Sequence, residues 1–385
     1  MSLPERIVKS FCRVYRRPPQ VLVRSPGRIN LLGEHTDYNG GTVLPAAIDR
    51  AIWLAAAARR DTCCALWACD YGEGYFARYK PSAPLSRPFW PNYLLGVLVE
   101  MGWPGGVDIA FGGDLPVGAG VSSSAALENA VALAANAVFQ KGLAPLELVR
   151  LTHRAETYFV GVPCGLMDMF AGLLGRENAF LHLSCSALRW EYLPFSTAEW
   201  VFVLCHSGVE RRLAASQYAE RRRECAQGLA ILRELDPALT HLSEASLSML
   251  EAARRRMAPA VFRRCRYVLA EETRVAEAAE ALRLSEYEAL GALMWSTHEG
   301  LRDDFEVSCP ELDFLVEQAM SHPACAGARL MGAGFGGCTL NLVRRKGVDD
   351  LLSFLTRAYT RAYKRSLPAW VVKPSAGAHL VPLSA

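Results

Sequence analysis

Three glycine-rich segments, residues 26–41, 115–126 and 332–337, interrupt the regular patterns of the chain, and the middle one limits most what it can fold into. It follows the β-prone run Val107–Phe111 and precedes Ala125–Phe139, a stretch apolar nearly all round, as in a helix buried within a core. The join itself reads Leu115-Pro-Val-Gly-Ala-Gly-Val-Ser-Ser-Ser-Ala-Ala126. Small residues let backbone approach a ligand, and the hydroxyls of Ser122, Ser123 and Ser124 stand where a starting helix leaves its N–H groups unpaired. A strand, an anion cradle and a buried helix therefore follow one another, which requires a mixed α and β architecture. No Gly-Lys-Ser/Thr follows the glycines, so this is not a Walker A loop. Taken alone, a Ser-capped strand-to-helix turn is the lesser alternative, kept open because Ser-rich caps are common.

Around this join the pattern predicts further elements. A first helix opens at Ser2, with Glu5 three residues on and Pro4 in the first turn. Strands are expected at Val21–Arg24, 42–44 and Ala51–Ala57, with a loop from Ser25 to Gly41 and a hairpin pairing 65–68 with 75–79. Helices at 146–159 and 165–174 lead to strands at 179–183, 189–193 and 201–204. Residues 211 to 321 are helix-rich, with Ser285 and Glu288 forming a second capping box. After the last glycine segment come a strand at 339–343, a helix at 348–363 and a strand at 370–372. At 385 residues the chain exceeds the size at which one core usually splits, so two domains are expected, 1–200 and 201–385.

Composition excludes several function classes. The longest apolar run, Ala51–Ala58, is far below the roughly 18 residues of a membrane span. The first residues show no apolar core before a cleavage site, which points to the cytoplasm. A net charge of +3 argues against nucleic acid as a partner, and the runs 221–223 and 254–256, interleaved with glutamates, read as solvated helix faces. Twelve cysteines are scattered without a zinc-ligand spacing, so free thiols are expected.

The first glycine segment, Pro26-Gly-Arg-Ile-Asn-Leu-Leu-Gly-Glu-His-Thr-Asp-Tyr-Asn-Gly-Gly41, crowds directional polar groups together, as recognition of a polyol needs. A solvated turn would account for it too, and Gly332-Ala-Gly-Phe-Gly-Gly337 alone is only a tight loop. In order and spacing, however, the three segments resemble the signatures of the GHMP kinases, and the first resembles that of the galactokinases. The likeness extends through Phe89–Tyr93, Pro163–Asp168, Ser216–Cys225 and Leu301–Pro310.

The resemblance implies an α+β, two-domain fold: a mixed-sheet N-terminal domain, a helix-rich C-terminal domain with a small antiparallel sheet, and an active site in the cleft between them. It implies ATP-dependent phosphorylation of galactose at its C1 hydroxyl, the opening step of galactose catabolism, by a monomer or weak oligomer. Asp168 would be the catalytic carboxylate, with Arg28 between it and the transferring phosphoryl group. Glu34, His35, Asp37, Gly165 and Tyr218 would contact the sugar. Gly118, Gly120, Ser122, Ser123 and Ser124 would hold ATP, with Trp90 and Tyr93 beside the adenine. Ser124 and Glu156 would bind Mg2+, whose preference for hard oxygen ligands they meet. Carboxylates at Glu34 and Asp37 would repel a uronate, so a neutral hexose is expected.

Met169, Ser184, Ser186 and Leu330-Met331 depart from the family pattern, as does Glu210, where a cation near the nucleotide is usual. Glu210 is expected to turn outward, with Arg211 or Arg212 supplying the charge. Two other functions fit the same motifs: a 1-kinase for N-acetylgalactosamine or another galactose-like sugar, and a non-catalytic sugar and ATP sensor. The intact serine run with Arg28 and Asp168 favours the enzyme.

Overall fold

A computed structural model describes residues 1–116, 118–209 and 214–383. Glu210, Arg211 and Arg212 lie outside the described residues, and so does the expectation about them.

The strands are β1 (Val21–Asn30), β2 (Thr42–Val43), β3 (Pro45–Ala58), β4 (Cys64–Ala68), β5 (Glu73–Ala77), β6 (Val107–Gly113), β7 (Ala179–Ser184), β8 (Arg189–Pro194), β9 (Trp200–His206), β10 (Cys325–Leu330), β11 (Cys338–Arg344), β12 (Ala369–Val372) and β13 (His379–Val381). They form a six-stranded sheet in the order β13-β1-β3-β6-β4-β5, a four-stranded sheet β10-β11-β9-β12 and a three-stranded sheet β2-β7-β8. The large sheet is mixed, because β4 runs parallel to β6 while its other pairs are antiparallel. The four-stranded sheet is antiparallel throughout.

The helices are α1 (Leu3–Tyr15), α2 (Pro91–Glu100), α3 (Ser123–Val138), α4 (Pro145–Arg154), α5 (Met167–Leu174), α6 (Ala214–Leu232), α7 (Leu247–Ala253), α8 (Pro259–Leu284), α9 (Tyr287–Glu299), α10 (Pro310–Met320) and α11 (Val348–Tyr363). α3 packs on β1 and β3 and is covered by α2, α4 and α5, which explains its lack of a polar face. Its buried leucines, valines and alanines share a core with Leu54, Leu66, Ile109 and Leu95.

Three local expectations are corrected, and one strand was not foreseen. The loop foreseen from Ser25 is strand as far as Asn30: β1 pairs with β3 to its end and absorbs Pro26 and Gly27 in a bulge between Pro26 and Arg28. Ser285 does not open a capping box; it ends α8 in the left-handed conformation at φ 59°, and the N-terminus of α9 follows Glu286 without a side-chain cap. Arg221 is not on a solvated face, since it is buried and donates to the carbonyls of Phe305 and Glu306 and to Glu224. Strand β13 had no sequence signal, and it closes the large sheet by pairing with β1. At the start of α1 the Glu5 carboxylate does accept the Ser2 N–H at 2.8 Å.

A second core draws on both halves of the chain. Ile29, Leu31, Leu32, Leu44 and Phe180 share it with Leu204, Val275, Met294, Met331 and Leu340. It lies beneath the first glycine segment and so fixes that segment against the C-terminal sheet.

Candidate active site

The bulge in β1 turns Arg28 toward the first turn of α5, where Asp168 stands. The Arg28 Nε–H donates to Asp168 Oδ1 at 2.8 Å. The Ser122 hydroxyl, at the N-terminal flank of α3, donates to Asp168 Oδ2. Arg28 also donates through Nη1 to the Gly120 carbonyl, and its own N–H bonds the Val121 carbonyl at 3.0 Å. Three segments far apart in sequence thus meet at one carboxylate, each of whose oxygens holds one donor. Ser122 reaches it from φ 57°, and Gly118 and Gly120 adopt φ 74° and 77°, a bend that side chains resist.

These residues line a cavity of about 390 Å³. Its wall includes Arg28, Asp168, Glu34, His35, Asp37, Gly165 and Tyr218, together with Gly118, Gly120, Ser122, Ser123, Ser124 and Glu156. Trp90 and Tyr93 are not in that wall. Trp90 packs on Phe111 with ring centroids 5.6 Å apart, and Tyr93 on Phe89 at 5.8 Å, both against the first core. Burial, then the charges of Glu156 and Glu128, push the Tyr93 hydroxyl up to about 12.

The sugar segment is held tightly. His35, at φ 62°, shares a hydrogen bond of 2.9 Å with the Tyr38 hydroxyl and packs its ring 5.6 Å from Tyr218 and 4.7 Å from Phe305. Burial keeps it neutral, down to about 4. Asp37 lies so close over Gly165 that a Cβ there would fall 1.7 Å from Asp37 Oδ2. The segment's backbone groups are paired by side chains from the C-terminal half: Gly33 N–H with Glu271 at 2.8 Å, Thr42 N–H with Glu272 at 2.9 Å, and the Glu34 carbonyl with the Tyr267 hydroxyl at 2.9 Å.

Acidic groups dominate the electrostatics. Burial raises Glu34, but Arg329, Arg28 and the Gly332 N–H outweigh it and hold the carboxyl below its ordinary value. Asp37 is pushed up to about 7, first by burial and then by the charges of Asp168 and Glu34. Glu156 also rises to about 7, by burial and by Asp168, while a hydrogen bond with Ser124 opposes the shift. Behind it Glu128, fully buried on α3, is raised well above the carboxylate range by burial and by Glu156.

Sequence reasoning missed Arg329, Glu271, Glu272 and Tyr267. The only available signal was a lone arginine in the apolar strand before the last glycine loop, because pairing with distant backbone has no motif.

Comparison with known proteins agrees with this geometry. The galactokinase galactose-binding signature matches residues 9–58, the N-terminal domain of GHMP kinases residues 92–176, and their C-terminal domain residues 278–361. The galactokinase of Roseiflexus sp. (strain RS-1) is 39% identical over 95% of this chain and 94% of its own length. The galactokinase of Homo sapiens is 36% identical over 91% of each. The crystal structure of Lactococcus lactis galactokinase complexed with galactose superposes with a TM-score of 0.92 at 29% identity, covering 98% of this chain and all of that one. A mevalonate kinase at TM-score 0.65 and 18% identity shares the fold alone. With its signature segments gathered around one carboxylate on this fold, the chain belongs to the galactokinase family of GHMP kinases.

Proposed function

We infer that this chain transfers the γ-phosphoryl group of ATP to the C1 hydroxyl of galactose. The observation that carries the reading is the bracketing of Asp168 by Arg28 from the sugar strand and Ser122 from the glycine loop.

Asp168 accepts the proton of the C1 hydroxyl. In a loose phosphoryl-transfer transition state that proton leaves late, so a carboxylate is base enough while Arg28 stabilises the dispersed charge. Glu34, His35, Asp37, Gly165 and Tyr218 read the sugar hydroxyls, and a wrong epimer leaves a buried group unpaired. Gly118, Gly120 and Ser122 to Ser124 hold the phosphates at the α3 N-terminus, where the helix field favours an anion. Trp90 and Tyr93, partly buried against the first core and outside the cavity wall, are assigned to the adenine through the aromatic faces they leave open.

The donor set fits magnesium: Ser124 and Glu156 present hard oxygens on the same cavity wall and bond to each other. When bound there, Mg2+ neutralises charge on the phosphates. Without a cation, the carboxylates of Glu156, Asp168, Glu34 and Asp37 oppose the entry of ATP.

We read the chain as two domains dividing near residue 200, working in the cytoplasm as a monomer or weak oligomer. Twelve free cysteines suit a reducing compartment. Among the described residues no helix is long and apolar enough to cross a membrane.

A coupled ADP-release assay over a sugar panel tests the function. Galactose should give the highest kcat/KM. Preference for N-acetylgalactosamine would replace the substrate, and binding without turnover of any sugar would make the protein a sensor.

A further inference from the structure

We propose that Arg329 is a positioning residue for the sugar site, acting through Glu34 by clamping its carboxylate and the backbone of the sugar segment onto the last glycine loop. The inference rests on the reading above that Glu34 contacts the sugar.

Arg329 lies near the end of β10 and is fully buried, one of the largest side chains with no exposure at all. A guanidinium in such a place is tolerated only when its donors are matched by acceptors. Its Nε–H donates to the Leu31 carbonyl at 2.7 Å and Nη1 to the Leu330 carbonyl at 2.6 Å. Nη2 donates to the Asn30 carbonyl and, at 3.1 Å, to Glu34 Oε1. Three of the four acceptors are backbone, and the fourth is the charged group of a cavity-lining side chain.

Glu34 Oε1 also accepts the Gly332 N–H at 2.8 Å. Both donors therefore come from residues 329–332, and both grip one oxygen. The rotation of the carboxylate is fixed, while Oε2 stays outside the clamp. The Asn30 and Leu31 carbonyls lead directly into the turn that carries Glu34, so the same guanidinium holds both the carboxylate and the backbone before it. Lysine cannot reproduce this, because a point charge with three donors does not span a planar fork of four acceptors.

The test is a cycle of Arg329→Lys, Glu34→Gln and the double variant, with kcat, KM for galactose, KM for ATP and the melting temperature measured on each. Arg329→Lys is expected to raise the galactose KM roughly tenfold to a hundredfold, the range for losing a hydrogen bond to a charged group. Its kcat should stay within about threefold and its ATP KM unchanged, a split that general loosening of the fold would not give. In the Glu34→Gln background the lysine should add no further loss of galactose affinity. A normal galactose KM in Arg329→Lys overturns the proposal, as does a fall in kcat with a comparable rise in both KM values, or a multiplicative loss in the double variant. A Glu34→Gln protein with normal galactose KM overturns instead the sugar-contact reading beneath it. If Arg329→Lys does not fold, the arginine-15N spectrum of the unaltered chain decides. Galactose must shift the Arg329 Nη2–H signal, the donor that meets Glu34, and leave it in place in Glu34→Gln; no shift in the unaltered chain refutes the clamp.

Discussion

At Asp168, one donor already engages each carboxylate oxygen, so the side chain is oriented before any sugar arrives. Asp168→Asn keeps the size but loses the base, and ADP release should fall roughly a hundred- to ten-thousand-fold with the fold intact. Near-normal turnover would remove Asp168 from its role. A uronate offers a sharper test of the acidic wall. Glu34 is held ionised at neutral pH, whereas Asp37, raised to about 7, is only partly charged there. Galacturonate should therefore be turned over far less efficiently than galactose. The preference should widen from pH 6 to pH 8, because Asp37 loses its proton across that interval. Comparable kcat/KM for the two sugars at pH 8 would contradict it. These residues were legible because motif chemistry depends on side-chain type at short spacing. Arg329 was not, because its partners are carbonyls some three hundred residues upstream.

Between elements, helix α8 does what no local pattern announces. Glu271 and Glu272 face the sugar segment and accept the N–H groups of Gly33 and Thr42, which β1 and β2 leave without strand partners. The consequence for Glu272 is a pH dependence. Burial raises its carboxyl from 4.5 to about 7, more than the Thr42 bonds lower it, so the folded chain holds this proton more tightly than the unfolded one. Stability from this group is then lost as pH rises from about 4.5 to about 7, and the penalty persists above that. Glu272→Gln still accepts from Thr42 but escapes the charge. It should gain on the order of 1–3 kcal/mol at pH 8, given about 1.4 kcal/mol per pKa unit and some solvent screening, and nothing at pH 4.5. Denaturant midpoints at the two pH values check this, and an equal gain at both would sink it. Element ends were less legible than element interiors for a similar reason. Ser285 and Glu288 have a helix-start spacing, yet the tight turn from α8 into α9 uses Ser285 to finish the first helix.

For the whole molecule, the core shared by Ile29 and Leu204 and the pairing of strand β13 with β1 both cross the expected boundary near residue 200, as do the bonds of α8 and Arg329 to the sugar segment. Scanning calorimetry should accordingly give one cooperative transition, because melting the C-terminal half would uncover Ile29, Leu31 and Leu44 at once. Two separated transitions would show that each half is stable alone. The sequence by itself determined the chemistry available: a strand feeding a serine-flanked helix, an arginine and an aspartate in recognisable contexts, and a polar sugar segment. Those follow from short-range rules, since backbone geometry and side-chain type act within a few residues. Only the tertiary structure decided which of these groups share a cavity, that Trp90 and Tyr93 stand outside its wall, and which carboxylates are held ionised. Burial and Coulomb interactions depend on distance in space, and the chain brings Arg28, Ser122, Asp168 and Arg329 together by packing that no spacing along it encodes.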